Sequence, residues 1–185
     1  MKTAIPFKSR LLALITSNNK PNARFLFSHP AHFLAFGFGA GLSPKAPGTA
    51  GTLLGFPLFF LLSLLPIWLF WIALAALFAI GVWICGKAGE DLGVSDHGGI
   101  VWDEIVAFAL VLAFSPPALV WYGVAFALFR LFDIWKPFPI RYFDQNVKGG
   151  FGVMLDDLLA AGYAVAALMV IRFMVEEKSL IDFPF

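Results

Sequence analysis

Two apolar segments, residues 66–86 and 153–174, constrain the fold most, because each is long enough to cross the hydrocarbon core of a membrane. A helix rises about 1.5 Å per residue, so about 20 residues span a core of roughly 30 Å. Hydrophobic residues make up 60% of the 185-residue chain and charged residues only 14%, whereas roughly 25% of an average soluble domain is charged. One small core cannot bury so much apolar surface, so the chain is predicted to be an integral membrane protein.

Three shorter apolar segments, at 52–65, 104–116 and 118–135, predict further helices that tilt or begin inside a polar pocket. Residues 31–41 are rich in glycine and are expected to form a half-helix that does not cross. The predicted fold is therefore all-α. It is an integral membrane helical bundle with four to five transmembrane helices and a glycine/proline-rich broken or re-entrant segment.

Charge is distributed unevenly along the chain. No acidic residue precedes Glu90, and nine of the twelve carboxylates lie between Glu90 and Asp157. Basic residues concentrate near the N-terminus and within residues 130–148, while the connections at 65–66 and 115–117 carry no charge. Basic loops tend to stay in the cytoplasm, so we expect the polar motifs to lie at the cytoplasmic ends of the helices.

The same patterns divide the chain into three parts. Residues 1–30 are expected to form a basic cytoplasmic leader, residues 31–175 a single membrane-embedded domain, and residues 176–185 a short C-terminal tail. The one cysteine, Cys85, cannot form an intrachain disulfide, and no Cys/His cluster has the spacing of a zinc or iron–sulfur site. Any metal ion would therefore be held by oxygen ligands.

The first polar motif is GFGAGLSPKAPGTAGT, residues 37–52. Its glycines and prolines exclude one regular helix. Two interpretations stay open: exposed backbone N–H groups and Lys45 bind an anion near a helix N-terminus, or the glycines permit close helix packing.

Three further motifs place carboxylates at the ends of apolar helices: DHGGIVWDE at 96–104, FRLFDIWKPFPI at 129–140 and GGFGVMLDD at 149–157. A bare carboxylate in hydrocarbon costs a few kcal/mol, which makes such residues functional candidates. Carboxylates from several segments are typical of a Mg²⁺ site, and neighbouring cations suit a phosphate ester. Simple neutralisation, for example of Asp133 by Arg130, is the structural alternative. The pattern predicts a phosphoryl-transfer or phosphatase site at a membrane surface.

The four motifs, in this order, resemble the signature blocks of the phosphatidylglycerophosphatase A family, and the resemblance covers about residues 30–165. The resemblance implies a Mg²⁺-dependent lipid phosphatase of the bacterial inner membrane. Such an enzyme hydrolyses the terminal phosphate monoester of phosphatidylglycerophosphate to give phosphatidylglycerol and phosphate.

The resemblance also implies roles for individual residues. Asp96 or His97 is expected to carry a proton to the leaving oxygen, and Asp103 is counted among the catalytic residues. Either water activated by the metal or an aspartate acts as the nucleophile. The expected phosphate-binding residues are Lys45, Gly48, Thr49, Arg130, Lys136 and Arg141. The expected metal ligands are Asp103, Glu104, Asp133, Asp156 and Asp157. Two or three of these are expected to support the metal site without binding the ion directly.

A transporter for a divalent cation or for phosphate is the main alternative, because it also needs carboxylates inside the membrane. The outer halves of the apolar segments argue against it, since residues 58–78, 108–128 and 164–171 contain no ionisable side chain except Tyr122. The expected partners are the phospholipid substrate and the bilayer, without nucleic acid, and the oligomeric state stays open. The expected location is the inner membrane, multi-pass, with the active site on the cytoplasmic face.

Overall fold

The computed structural model describes the backbone of residues 21–181 and the side chains of residues 21–175, and every regular element there is helical. This confirms the all-α prediction for that part of the chain. The first twenty residues of the expected leader and the side chains of the expected tail lie outside the described residues. The helices are α1 (Ala23–Leu26), α2 (Pro30–Ala35), α3 (Pro47–Leu62), α4 (Ile67–Leu92), α5 (Trp102–Ala113), α6 (Leu119–Trp135), α7 (Ile140–Asn146) and α8 (Gly149–Ile181).

Two of these helices are long and apolar enough to cross a membrane: α4, and α8 over Gly149–Val175. In a soluble protein the apolar side chains of such helices would be buried, but only 22% of the most apolar part of each is buried here. Trp68 and Ile72 on α4 point outward, which fits contact with lipid. The predicted segments 66–86 and 153–174 are thus confirmed as helices, and membrane association follows from their length and exposure.

Helix α8 is the centre of the bundle and packs against α4, α5, α6 and α7, while α3 packs on the far side of α5. Glycine permits the closest of these crossings. A Cβ on Gly150 of α8 would lie 1.8 Å from the carbonyl oxygen of Val82 and 2.5 Å from the backbone nitrogen of Gly86, both on α4. The two backbones therefore touch, which fixes the start of α8 against the last turns of α4.

The glycine-rich motif is broken, as its sequence predicts. A 3₁₀ segment at Gly37–Leu42 contains a reversal at Phe38 and Gly39, with φ of 57° and 107°. Left-handed backbone of this kind favours glycine. The chain then enters α3 through Ala46, whose φ is 48°. The end of α2, just before the reversal, is joined to the start of α5, because the amide of Val101 donates to the carbonyl oxygen of Ala35 at 2.8 Å.

The folded domain begins before residue 31, where the sequence analysis places the end of the leader. Phe25 and Leu26 of α1 are buried. On α2, the fully buried His32 forms a hydrogen bond between its Nε2 atom and Asp91 Oδ2 of α4 at 2.9 Å. Lys87 also binds Asp91, at 2.5 Å. Residues 21–30 are therefore part of the bundle, because short apolar clusters in a basic segment still gain free energy by burial.

The glycine crossing gives a stability prediction. Gly150→Ala is expected to lower the free energy of unfolding by about 1–3 kcal/mol, because the added methyl meets backbone atoms that cannot move aside independently. Gly162→Ala on the same helix is the matched control, since a Cβ there meets nothing within 4 Å and alanine favours a helix over glycine by about 1 kcal/mol. Unfolding in detergent measures both variants. Equal stability of the two would contradict the close crossing.

Candidate active site

Three carboxylates from two helices converge in the bundle and are called here the acidic triad: Asp103, Glu104 and Asp157. One oxygen from each lies within 4.8 Å of the others. Asp103 and Glu104 occupy the first turn of α5, and Asp157 lies two turns into α8. The indole Nε1 of Trp102 donates to the carbonyl oxygen of Leu77 at 3.2 Å, which fixes the start of α5 on α4 and holds the triad in place.

The triad is buried and incompletely partnered. Asp103 is 7% exposed and Asp157 is 3% exposed. Asp103 Oδ1, Glu104 Oε2 and Asp157 Oδ2 are inaccessible to solvent and accept no hydrogen bond. Unpaired carboxylates in an apolar interior are costly, and like charges at this distance repel one another. A hard divalent cation that prefers oxygen ligands would compensate the three carboxylates, so the residues present fit Mg²⁺.

Arg130 on α6 adjoins the triad. Its Nη1 atom lies 2.5 Å from Asp133 Oδ2, 3.4 Å from Glu104 Oε1 and 3.3 Å from Thr52 Oγ1. The pairing with Asp133 is the neutralisation that the sequence analysis left open, and the guanidinium also joins α6 to α5 and α3. Arg130 Nε is buried without a hydrogen-bond partner, so one donor remains for a further acceptor.

The N-terminus of α3 packs directly on Glu104. A Cβ on Gly48 would lie 2.0 Å from Glu104 Oε1 and 3.2 Å from Arg130 Nη1, and one on Gly51 would lie 2.6 Å from the Cβ of Val101. Of the two interpretations of the glycine-rich motif, close packing therefore describes these glycines. Their lack of side chains lets the Glu104 carboxylate reach the start of α3.

A second group, called here the Lys136 cluster, lies beside the triad. Lys136 follows the last residue of α6, and its Nζ atom binds Asp144 Oδ1 at 2.7 Å and Asp156 Oδ2. Burial alone would lower the pKa of Lys136, but the charges of Asp156 and Asp144 outweigh this and raise it, so the ammonium stays protonated. Asp96 lines a cavity of about 20 Å³ with Asp144 and Asp156, which is room for about one water molecule.

Asp156 and Asp157 are neighbours on α8 but serve different groups, because adjacent residues of a helix point in different directions. Asp157 faces α5 and the triad, whereas Asp156 faces Lys136. Asp156 Oδ1 is buried and accepts no hydrogen bond. Within the described chain, six buried or half-buried carboxylates surround two cations, Arg130 and Lys136, and the excess negative charge favours a bound cation. The six are Asp103, Glu104, Asp133, Asp144, Asp156 and Asp157.

Several residues predicted for the site lie apart from both groups. Lys45 and Arg141 are exposed, and neither takes part in the ion pairs described above. Thr49 is half-buried within the first turn of α3. His97 packs near Phe36, and the backbone N–H of Gly99 donates to its Nδ1 at 3.0 Å. Burial lowers the pKa of His97, so its ring is neutral at pH 7 with the proton on Nε2.

The structure adds two residues that the sequence analysis did not assign to the site. Thr52 is fully buried and donates its hydroxyl to the carbonyl oxygen of Gly48 at 2.9 Å, which leaves its oxygen to accept from Arg130. In the sequence, Thr52 follows Gly48 by four positions within an apolar helix, and this spacing is the feature that could have indicated its role. Asp144, on α7, carried no signal in the sequence, because only the fold brings it to Lys136.

Comparison with known proteins identifies close relatives. The family model for phosphatidylglycerophosphatase A matches residues 33–172. A phosphatidylglycerophosphatase A of Haemophilus influenzae is 50% identical over 85% of this chain and 98% of its own length. Its counterpart from Escherichia coli is 43% identical over 80% of this chain and 87% of its own. A protein of Bacteroides thetaiotaomicron with the provisional name phosphatidylinositol-3-phosphatase is 42% identical over 75% of this chain and 91% of its own. No solved structure matches the chain.

The contacts of Arg130 give a stability prediction. In the presence of a chelator, Arg130→Met is expected to lower the free energy of unfolding by about 3–5 kcal/mol, because two buried carboxylates lose their partner. Arg141→Met, at an exposed position, is the control and is expected to change it by less than about 0.5 kcal/mol.

A double variant tests the cause of that loss. Arg130→Met combined with Asp133→Asn is expected to be more stable than Arg130→Met alone, because one unpaired charge is removed with its partner. Denaturant unfolding in detergent measures the double variant beside both single variants, Arg130→Met and Asp133→Asn. If the double variant lost the sum of the single losses, the ion pair would not be the source of the effect.

Proposed function

The chain belongs to the phosphatidylglycerophosphatase A family, and we propose that this phosphatase hydrolyses the terminal phosphate monoester of phosphatidylglycerophosphate in a Mg²⁺-dependent reaction. The names of its relatives support the substrate. The observation that carries the metal requirement is the acidic triad, whose three buried oxygens lack hydrogen-bond partners. Membership of a phosphatase family also favours an enzyme over the transporter alternative.

We assign the Mg²⁺ ligands to the triad alone. Mg²⁺ in proteins keeps several waters and takes few carboxylates, so five protein carboxylates exceed what one ion accepts. Asp133 is engaged with Arg130 and Asp156 with Lys136, and these two carboxylates therefore position the cations beside the ion. Bound Mg²⁺ would supply Lewis-acid stabilisation of the phosphoryl oxygens.

Arg130 is the proposed phosphate-binding cation. It adjoins the triad through Glu104, and its Nε atom is a buried donor without a partner. A guanidinium suits the two-point recognition of a phosphate. Lys136 is already held by Asp144 and Asp156, so we propose that it positions Asp156 and keeps that carboxylate ionised rather than binding phosphate itself.

Two carboxylates are available for proton transfer. Asp156 Oδ1 is buried and free of hydrogen bonds, which suits a base that takes the proton of the attacking group. Asp96 lines the small cavity next to Asp156, and we propose that it delivers the proton to the glycerol oxygen that leaves. His97 is turned toward Phe36 and is not needed in this scheme.

The proposed location follows from the same features. We propose that the chain is a multi-pass protein of the inner membrane in which α3, α5 and α6 lie in the membrane beside α4 and α8. The triad and the Lys136 cluster then lie at the cytoplasmic ends of these helices. The diacyl tails stay in the apolar phase, and the terminal phosphate reaches the polar groups.

The metal assignment predicts that one substitution changes the unfolding temperature differently with and without Mg²⁺. In chelator, Asp157→Asn is expected to raise the unfolding temperature or leave it unchanged, because a buried repulsive charge is removed. Mg²⁺ is expected to stabilise the wild type and not Asp157→Asn. The control is Glu90→Gln, at an exposed position of α4, which is expected to keep the full response to Mg²⁺.

Activity completes this test. Phosphate release from phosphatidylglycerophosphate in detergent is expected to require Mg²⁺ and to fall in Asp157→Asn by at least the roughly 10–100-fold that loss of an outer-shell partner of a metal costs. Full activity of the wild type in chelator would rule out the metal requirement. A wild type that binds Mg²⁺ but releases no phosphate would rule out the proposed reaction.

The assignment of the proton donor predicts different outcomes for two neighbouring residues. Asp96→Asn is expected to lower kcat by about 10²–10⁴-fold and to remove the limb of the pH–kcat profile that reports the acid. His97→Gln is the control and is expected to leave the profile in place. A larger loss of kcat in His97→Gln than in Asp96→Asn would reverse the assignment.

A further inference from the structure

An apolar groove of about 280 Å³ runs between α4, α5 and α8. Its walls include Trp71, Leu74 and Phe78 of α4, Val106 and Leu110 of α5, and Leu158 of α8. None of the residues that line it is charged. At Ala75 the groove is open to the outside of the bundle.

The groove lies next to the acidic triad along α5 and α8. Val106, Ala107 and Leu110 follow Asp103 by three, four and seven positions, so they continue the face of α5 that carries this carboxylate. On α8, Met154 also lines the groove, and it precedes Asp157 by three positions, which places both side chains on one helix face. Two walls of the groove are thus extensions of the helix faces that hold the triad.

The groove leads away from the polar end of the bundle. On α4 it is lined at Trp71, Leu74, Ala75 and Phe78, which share one helix face over about 10 Å. The backbone carbonyl of Leu77 accepts a hydrogen bond from Trp102, the neighbour of Asp103, so Phe78 marks the end of this wall that is nearer to the carboxylates and Trp71 marks the remote end. The volume is about twice that of an engineered apolar cavity of roughly 150 Å³ that accepts benzene, which is room for about ten carbon atoms.

We propose that this groove binds one acyl chain of the lipid phosphate substrate and thereby places its phosphate at the acidic triad. The inference rests on the proposed function and adds the part of the protein that recognises the lipid tail. An acyl chain fits because the groove is elongated, without charge and open on one side, and because two of its walls continue the helix faces that carry the acidic triad. A ligand of this kind places its polar group against the charged residues and its apolar part against the apolar walls, so each part of the ligand meets a surface of matching polarity.

Photolabelling tests the groove without relying on catalysis. The probe is phosphatidic acid, a lipid phosphate monoester, with a diazirine in the middle of one acyl chain, bound to the full chain in detergent with Mg²⁺. We expect labelling within residues 71–78 that excess unlabelled phosphatidic acid removes. Phosphatidylcholine with the same chain is expected to label this segment less. Equal labelling by both lipids, or labelling that does not compete, would mean ordinary lipid contact and would overturn the inference.

Two adjacent alanines supply matched variants for kinetics. Ala75 and Ala76 are both exposed on α4, but only Ala75 lines the groove. Ala75→Trp fills the groove and is expected to lower kcat/KM for long-chain phosphatidylglycerophosphate by about tenfold or more, since burial of each methylene changes binding by about fourfold. Ala76→Trp is expected to leave it unchanged. The photolabel is expected to disappear in Ala75→Trp and to persist in Ala76→Trp.

A substrate without acyl chains distinguishes loss of tail binding from damage to the active site. This substrate is the deacylated headgroup of phosphatidylglycerophosphate, which is a water-soluble phosphate monoester. Ala75→Trp is expected to keep the wild-type rate of phosphate release from this water-soluble monoester, because it has no chain to displace. An equal loss on both substrates, or equal effects of Ala75→Trp and Ala76→Trp, would overturn the inference. Failure of the wild type to hydrolyse any lipid phosphate would instead overturn the proposed function, so the two failures are distinguishable.

Discussion

The structure depends on the burial of carboxylates in an otherwise apolar bundle. Asp103 and Asp157 are almost inaccessible, and together with Glu104 they leave three buried oxygens without hydrogen bonds. Charge of this kind is tolerated only where cations or donors compensate it. Arg130 and Lys136 supply part of the compensation, and the remaining negative charge is the physical reason to expect a metal ion at this place.

Close helix packing is what brings these charges together. Gly48 allows α3 to rest on Glu104, and Gly150 allows α8 to touch α4. Helices with side chains at these positions would stand further apart, which would change the positions of the carboxylates on α5 and α8. The glycines of the signature motifs therefore contribute to the site by their lack of side chains, whereas the sequence had equally allowed a phosphate-binding loop.

The polar groups and the apolar groove together describe a site for an amphipathic ligand. In the proposed reaction Arg130 and the triad meet the phosphate. The faces of α5 and α8 that carry the triad continue into the apolar walls of the groove. A soluble phosphate ester would need only the first part. The arrangement gives a physical reason for a phosphatase of this kind to be a membrane protein, because the tail of its substrate need not enter water during the reaction.

Much of the fold could be predicted from the sequence, but the extent of the buried domain could not. The apolar segments 66–86 and 153–174 predicted the two long helices, because length and composition alone decide whether a helix can cross lipid. Pro137 and Pro139 lie just after the end of α6, and Gly98 and Gly99 lie just before the start of α5, at places where these residue types disfavour a helix. By contrast, the assignment of residues 21–30 to a leader missed the burial of Phe25 and Leu26.

The sequence by itself determined that carboxylates lie at the ends of apolar helices, since local composition and helix periodicity are properties of the chain. Only the tertiary structure decided which of them meet. It separated Asp156 from Asp157, joined Asp144 to Lys136, and left Lys45 and Arg141 exposed. These outcomes depend on how closely helices remote in sequence approach and how each is rotated about its axis, and the packing of the whole bundle sets both quantities.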